Sequence, residues 1–446
     1  MLDWLRKDVS CAGSVLFRGS IPPRRERLES LRNEGMEVMA QEAGADCHWM
    51  LQMKHPEWGE ASVVCFRDLG PPPRVLAEMD INLTPEEREQ VALAGSVVSL
   101  KMTGRRKNIL RDRKMMLRFL HAIMGEYGLA VMDHVAQRFW SRAALEDELS
   151  HDADLDVDGI FTLHAVTGDV EEEREEEQDE EEPRVEWLHS HGLAEIGFFD
   201  FDVLNASPGL TGHGYDGLRA IAFMILEGRL GRNTARATVV IPGGDVRSVP
   251  VPDFERKAAA KYVALRHDPD RDHERDRVVL CDPAGRLLGR WLDKVRPSRF
   301  LSRDLPEHGM FTFSTAASDL MAERGRKTYS LFRKIREELE EFELPVIVKL
   351  GYEVDGSTTE FEYLWFEVHE LMDDEIDATL GNEPFRIARM QAGQRDRHPV
   401  SRLSDWQILT PLGMINPRQT TPLRTIRAHR EEILGAMREG REEEQG

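Results

Sequence analysis

The chain has few cysteines and no long apolar run. Its 446 residues contain four cysteines, none in a CxxC pair, so we expect no disulfide framework. No stretch approaches the length of a membrane span. The first residues, MLDWLRKDVSCAG, lack a basic region followed by an apolar one, so we expect no signal peptide. The expected location is the cytoplasm.

Basic residues are scarce relative to acidic ones. Lys and Arg number 59 against 81 Asp and Glu, which gives a net charge of −22. Proteins that bind a phosphate backbone generally carry excess Lys and Arg, so we expect no nucleic-acid partner and no membrane partner. The same charge favours solubility and would suit a basic protein partner. The sequence does not indicate the oligomeric state.

Complete catalytic motifs are also missing. GxSxG, the P-loop and GxGxxG do not occur in usable form, and no Ser/His/Asp or Cys/His order indicates a nucleophile with its base. We therefore assign no catalytic residue and no cofactor-binding residue, and the cofactor is unknown. A divalent metal ion is the one cofactor for which residues can be named.

What is present indicates a folded protein of several parts. Hydrophobic residues make up 41% and charged residues 31%, and this length favours two or three domains. The patterns predict the α+β class, with a mixed N-terminal region, a long connector helix and a small β-rich C-terminal domain. The predicted parts are an α+β domain over 1–249 with an acidic insert near 169–184, a small β-rich segment over 250–317, a connector helix over 318–344, a small β-rich domain over 345–427 and a charged tail over 428–446.

Several local patterns make sharper predictions. Thr84 and Glu87 flank Pro85 as in a capping box, and apolar residues from Ile109 to Met124 recur at helical spacing. Asp355-Gly356 predicts the turn of a hairpin. The basic run Arg105–Arg118 is interpreted as the solvated face of a helix, with binding of a phosphate or an acidic partner as the alternative. The acidic run Glu171–Glu182 is interpreted as a solvated loop, with nucleic-acid mimicry or cation binding as the alternative.

The candidate site is VEWLHSHGLAEIGFFDFDVLN, from Val185 to Asn205. His189 and His191 are the only histidines two residues apart, and on an extended segment they point to one side. Joined by a third ligand, they would form a Zn²⁺ or Fe²⁺ site. Third ligands near in sequence are Glu195, Asp200 and Asp202, and those that would approach through strand pairing are His164, His213, Asp133 and His134.

A purely structural interpretation of the same residues stays open. His191-Gly192 would cap a turn, and His189 would be buried and bonded to a backbone carbonyl. JAB-type metalloproteases also contain HxH, but they have Pro where this chain has Gly192 and Ser where it has Asp200. The sequence therefore departs from that motif at two positions.

Two stretches resemble uncharacterised bacterial families. EYLWFEVHEL, IDATLGNEP and VSRLSDWQIL, within about Pro345 to Ile426, resemble the domain of unknown function numbered twenty-three fourteen. The residues at matching places are Glu362, Trp365, Gly381, Asn382, Pro384, Asp405 and Trp406. The N-terminal half resembles a second family with a Trp-x-His-Ser/Thr-His-Gly-Leu signature, and the matching residues are Trp187, His189, Ser190, His191, Gly192 and Leu193.

Neither resemblance implies an activity, so three functions compete. The first is a non-enzymatic binding or scaffold protein, favoured by the lack of a catalytic constellation. The second is a metal-dependent hydrolase or metal-binding protein centred on His189 and His191. The third is an acidic immunity or decoy protein, which the net charge motivates. Asp405-Trp406 is expected to anchor the C-terminal core, and an exposed Trp406 would instead indicate a binding groove.

Overall fold

The computed structural model describes residues 8–19, 23, 25–29, 31–32, 35–167, 185–206, 210, 214–230, 239–241, 244–266, 276–282, 294–304 and 315–445. Within these ranges the chain forms helices and three sheets, which confirms the predicted α+β class. The acidic run Glu171–Glu182 and His213 lie outside the described residues.

The first sheet is antiparallel and has seven strands. They are β1 (Asp8–Arg18), β2 (Glu37–Gln41), β3 (Cys47–His55), β4 (Gly59–Phe66), β5 (Ala94–Arg105), β6 (Gly128–Asp133) and β7 (Arg138–Ser141). Their order in the sheet is β2-β3-β4-β5-β1-β6-β7. The helices of this part are α1 (Arg25–Glu29), α2 (Arg74–Met79), α3 (Pro85–Ala92), α4 (Ile109–Met124) and α5 (Arg142–Leu149).

Helix α4 packs an apolar stripe onto this sheet, as its spacing predicts. Leu117 and Leu120 are fully buried in the core that the helix shares with β1. Gly13 of β1 allows the close approach, because a Cβ there would lie 2.8 Å from Leu120 Cδ1. The capping box before α3 is also confirmed, since the Thr84 hydroxyl accepts from the Glu87 amide and the Glu87 carboxylate accepts from the Thr84 amide.

The basic run Arg105–Arg118 forms a solvated face only in part, because Arg105, Lys107 and Arg111 are exposed but other basic residues of the run are buried. Arg113 and Lys114 of α4 are 0% and 1% exposed. Arg113 pairs with Asp133 at the end of β6, and Lys114 Nζ lies 3.3 Å from Glu148 Oε1 of α5. Buried charges persist where carboxylates neutralise them, and these carboxylates come from distant elements that the local pattern cannot reveal.

The second sheet has six strands and carries the candidate site. They are β8 (Thr162–Thr167), β9 (Val185–His191), β10 (Asp200–Leu204), β11 (Val239–Ile241), β12 (Gly244–Pro250) and β13 (Arg277–Cys281). Their order is β11-β12-β13-β10-β9-β8. Strands β10 and β13 pair in parallel, and the other pairs are antiparallel.

The two faces of the second sheet contact different cores. Phe201 and Leu280 join the large core that also includes the first sheet and α6 (Gly214–Leu226). Trp187 and Leu204 form a smaller core with Val251 and Phe254, both from α7 (Val251–Lys257). Helix α8 (Ala260–Val263) follows on that side.

The segment 250–317, predicted as a separate β-rich unit, differs from that description. Its described residues contain α7, α8, a helical turn at Phe300–Asp304 and the strand β13, so helices contribute more residues than strands. Strand β13 lies between β12 and β10, which places it inside the sheet of the N-terminal region. Short polar stretches between these elements obscured the helical periodicity in the sequence.

The third sheet forms the C-terminal part. Its strands are β14 (Val346–Glu353), β15 (Phe361–Leu371), β16 (Glu375–Leu380), β17 (Arg395–Pro399), β18 (Leu403–Thr410) and β19 (Gly413–Ile415), in the order β17-β16-β15-β14-β18-β19. Strands β14 and β15 pair antiparallel, which confirms the predicted hairpin. Gly356 takes a φ of +80° in its turn, a conformation that favours glycine.

The stretch 318–344, predicted as one connector helix, contains two helices. Helix α9 (Thr315–Lys327) and helix α10 (Tyr329–Glu338) meet at Thr328. Phe332 and Ile335 of α10 are fully buried in the C-terminal core, so this stretch belongs to that core. Helices α11 (Thr421–Ala428) and α12 (Arg430–Gln445) end the described chain. Among the described helices, none has the length and apolarity needed to span a membrane.

A buried charge cluster joins the N-terminal and C-terminal parts. Arg324 of α9 places Nη2 2.6 Å from Glu148 Oε2, and Lys114 contacts the other carboxylate oxygen. Arg324 also donates to the carbonyl of Asp154 at 2.7 Å and to that of Pro417 at 2.8 Å. Burial raises the pKa of Glu148, but Arg324 and Lys114 outweigh it and hold the pKa at about 2. Glu148 is therefore a charged anchor between the two parts.

Glu148→Gln should destabilise the protein strongly. The variant keeps the shape of the side chain but leaves Arg324 and Lys114 without a carboxylate, and breaking a buried ion pair costs about 3–5 kcal/mol. We expect the free energy of unfolding in urea to fall by about 3 kcal/mol. Glu146→Gln, on the exposed side of α5, is the control and should change it by less than about 0.5 kcal/mol. Equal effects in the two variants would contradict the anchoring role.

Candidate metal centre

Strands β8 and β9 bring the candidate histidines together. In their antiparallel register His164 lies directly opposite His189, and Thr162 lies opposite His191. Paired residues share one face of a sheet, as do residues two apart on one strand. His164, His189 and His191 therefore project from the same face.

The three imidazoles converge on one point. Ring centroids are 5.5 Å apart for His164 and His189, 4.8 Å for His164 and His191, and 4.9 Å for His189 and His191. One ligand atom from each residue lies within 4.8 Å of the other two. In the described ranges, this cluster contains no cysteine or carboxylate ligand.

The surroundings favour the neutral form of His189 and His164. Burial, the largest cause, and the neighbouring groups His191, Arg277, His164 and Arg266 together lower the pKa of His189 to about 2. Burial also lowers the pKa of His164, against the opposing effect of Asp80. Neutral imidazole is the form that binds a metal ion, because its ring nitrogen then keeps a free lone pair.

Nδ1 of His189 is buried and lacks a hydrogen-bond partner among the described residues. A backbone carbonyl was expected there under the structural interpretation, and none bonds this nitrogen. Trp187 stacks on the ring at a centroid distance of 4.0 Å and shields that side from water. A buried nitrogen without a partner calls for an explanation, and an ion is one that suits imidazole.

Gly192 closes the strand just after the second histidine. Its φ is +118°, and a Cβ at this position would lie 2.5 Å from the Ile160 carbonyl oxygen. The residue is therefore restricted to glycine both by backbone conformation and by space. The turn predicted at His191-Gly192 is present, and it coexists with the histidine cluster.

Asp200 and Asp202 do not join the cluster. Asp200 accepts from the Ser190 hydroxyl at 2.6 Å and from the amides of Leu193 and Ala194 at 3.2 Å each. Asp202 is paired with two arginines. Both carboxylates are therefore engaged by other groups, and these partners could not be identified from the local sequence.

Of the remaining candidates for the third ligand, only one joins the cluster among the described residues. Asp133 pairs with Arg113 and accepts from the amides of Val135 and Ala136 at 3.0 Å each. Glu195 and His134 also stand outside the cluster. His164 alone among the described candidates completes it. The only sequence signal for His164 was the strand-like pattern of GIFTLHAVTG. Its position opposite His189 follows from the register of β8 and β9.

The residue set fits a transition-metal ion. Imidazole suits zinc, copper, iron and nickel, and zinc–nitrogen distances are about 2.0–2.1 Å. A tetrahedral ion would need ligand nitrogens about 3.4 Å apart, so the rings would draw together on binding. Side-chain rotations of the three histidines would have to provide that movement.

Comparison with known proteins concerns the other end of the chain. Residues 317–435 match the family described as an uncharacterized protein conserved in bacteria, DUF2314. This confirms the resemblance predicted for the C-terminal part. The DUF2314 stretch covers roughly a quarter of the chain and includes α9 and α10. No curated protein and no solved structure matches the chain. The N-terminal resemblance stays a prediction.

The signature residues of the DUF2314 stretch have structural contacts. Trp406 is 0% exposed, so the alternative of a binding groove around it is wrong. Its indole nitrogen donates to the Thr328 hydroxyl at 2.9 Å, and its ring stacks on Phe332. Asp405 pairs with Arg418 at 3.2 Å. The Trp365 amide donates to the Asn382 side chain at 3.0 Å, and Lys349 lies over the Trp365 ring.

Asp200 offers a test of the packing behind the histidines. Burial raises its pKa from 3.8 to about 6, against the nearby charge of Arg277. The folded protein thus holds this proton more tightly than the unfolded chain, and stability falls as pH rises from about 4 to 6. A pKa difference of about two units corresponds to about 3 kcal/mol, at about 1.4 kcal/mol per unit. The free energy of unfolding of Asp200→Asn should therefore fall by about 3 kcal/mol less than that of the wild type as the pH rises.

Urea denaturation at a series of pH values measures this slope. The exposed Asp68→Asn variant serves as the control and should keep the wild-type dependence. An Asp200→Asn variant with the wild-type slope would show that Asp200 is not the buried acid.

Proposed function

We propose that this protein binds a divalent transition-metal ion through His164, His189 and His191. The observation that carries the proposal is the convergence of three imidazoles whose ligand atoms lie within 4.8 Å of one another. The unpartnered Nδ1 of His189 supports it, because a bound ion would satisfy a buried nitrogen. Zn²⁺ is the expected ion, with Fe²⁺ as the alternative.

A bound metal ion would have a different role in each of the competing functions. A scaffold or binding protein would use the ion to hold β8 against β9, whereas a hydrolase would use it to activate water. We keep the first as the broader proposal, since no general base is assigned. A basic protein partner, and with it the decoy role, rests on the net charge of −22 alone.

Metal analysis of the purified full chain tests the proposal. After loading with Zn²⁺ and desalting, the wild type should retain about one ion per chain. His191→Gln and His164→Gln should each weaken Zn²⁺ binding by at least about tenfold, because each variant keeps only two of the three imidazole ligands. Competition with a chromophoric zinc chelator measures the affinity.

His48→Ala is the matched control, because His48 is exposed on β3 and distant in sequence from the cluster. It should bind Zn²⁺ like the wild type. Circular dichroism of each variant separates loss of ligand from loss of fold. Equal zinc content in the wild type and in a folded double variant His164→Gln, His191→Gln would refute the proposal.

A further inference from the structure

Resting on the proposed metal site, we infer that one coordination position is left open for a small anion from solvent, such as hydroxide or azide. Structural zinc sites take four protein ligands, whereas catalytic sites take three and leave a position for an exchangeable ligand. His164, His189 and His191 supply three. The inference depends on whether a nearby carboxylate can supply the fourth.

Asp202 is the carboxylate placed best, because it lies directly opposite His189 on β10. Both of its oxygens are engaged. Oδ1 lies 2.9 Å from Arg277 Nη1, and Oδ2 lies 2.9 Å from Arg266 Nε. All three side chains are less than 5% exposed. Turning Asp202 toward the ion would remove this carboxylate from two buried guanidinium groups and leave Arg266 with Glu255 and Arg277 with the Ser190 carbonyl. Breaking such buried ion pairs costs several kcal/mol, on the order of 3–5.

Asp80 is the carboxylate that acts on His164 electrostatically. Its Oδ1 accepts from the amide of Asn82 at 2.8 Å and from the Asn82 side chain at 2.7 Å. Its Oδ2 accepts from the Phe139 amide at 2.7 Å. Asp80 is 5% exposed, so releasing it would leave buried donors without a partner.

Asp200 is bound in the same manner by Ser190 and two backbone amides. Asp202, Asp80 and Asp200 therefore all hold other groups. Three imidazole ligands add no negative charge to that of a divalent ion, and burial strengthens the attraction of the ion for an anion. The described residues thus favour an anionic fourth ligand from outside the protein.

The surroundings limit the size of that ligand. Trp187 covers His189 on one side. The cavity lined by His164 has a volume of about 10 Å³, at the lower limit for one water molecule, and neither His189 nor His191 lines it. His191 is partly exposed, so a small anion would approach the ion past this residue.

Replacement of zinc by Co²⁺ in the full chain tests the open position. Cobalt bound by imidazoles has visible ligand-field bands that change when a ligand is exchanged. Titration with azide should change these bands and reach saturation, and excess chloride should compete. Bands that stay unchanged at saturating azide would overturn the inference while leaving the metal site intact. A chain that binds no Co²⁺ and no Zn²⁺ would overturn both.

A variant of the acidic run identifies the source of the fourth ligand. Replacing residues 171–182 by glycine and serine of equal length removes the carboxylates that follow β8 in sequence. This chain should respond to azide as the wild type does. A response in the replaced chain with none in the wild type would mean that the acidic run closes the site, and the inference would then be wrong. His48→Ala should respond like the wild type.

Discussion

The register between β8 and β9 is the constraint on which the candidate site depends. His164 faces His189 only in the observed pairing, because a slip of one residue would turn every side chain of β8 to the other face. Three contacts hold this register. Thr162 donates to the Ala136 carbonyl, Arg277 donates to the Ser190 carbonyl, and Gly192 fits closely against Ile160. The site is thus fixed by backbone pairing rather than by its own side chains.

Buried ion pairs perform a second structural task. Asp202 with Arg266 and Arg277 ties β10 to β13 and to the segment after α8. Glu148 with Lys114 and Arg324 ties the N-terminal part to the DUF2314 stretch. Such pairs add little net stability over apolar contacts, but removing one partner is costly, so they specify one arrangement of the elements. The first of these pairs also occupies Asp202, the carboxylate that lies opposite His189.

Local patterns predicted part of this structure well. The capping box at Thr84, the stripe of α4 and the hairpin at Gly356 depend on residues a few positions apart, and all three are present. The α+β class followed from the same periodicities. Predictions that needed distant partners did worse. Arg113 and Lys114 were placed in solvent because their carboxylates lie in other elements.

The sequence by itself determined that two histidines share a face, since alternation along a strand is a local property. It also indicated the C-terminal family, because that signature is a string of neighbouring residues. Only the tertiary structure decided that His164 completes the cluster and that Asp200 and Asp202 do not. Strand register and buried charge pairing depend on contacts between residues far apart in the chain, and local spacing carries no record of them.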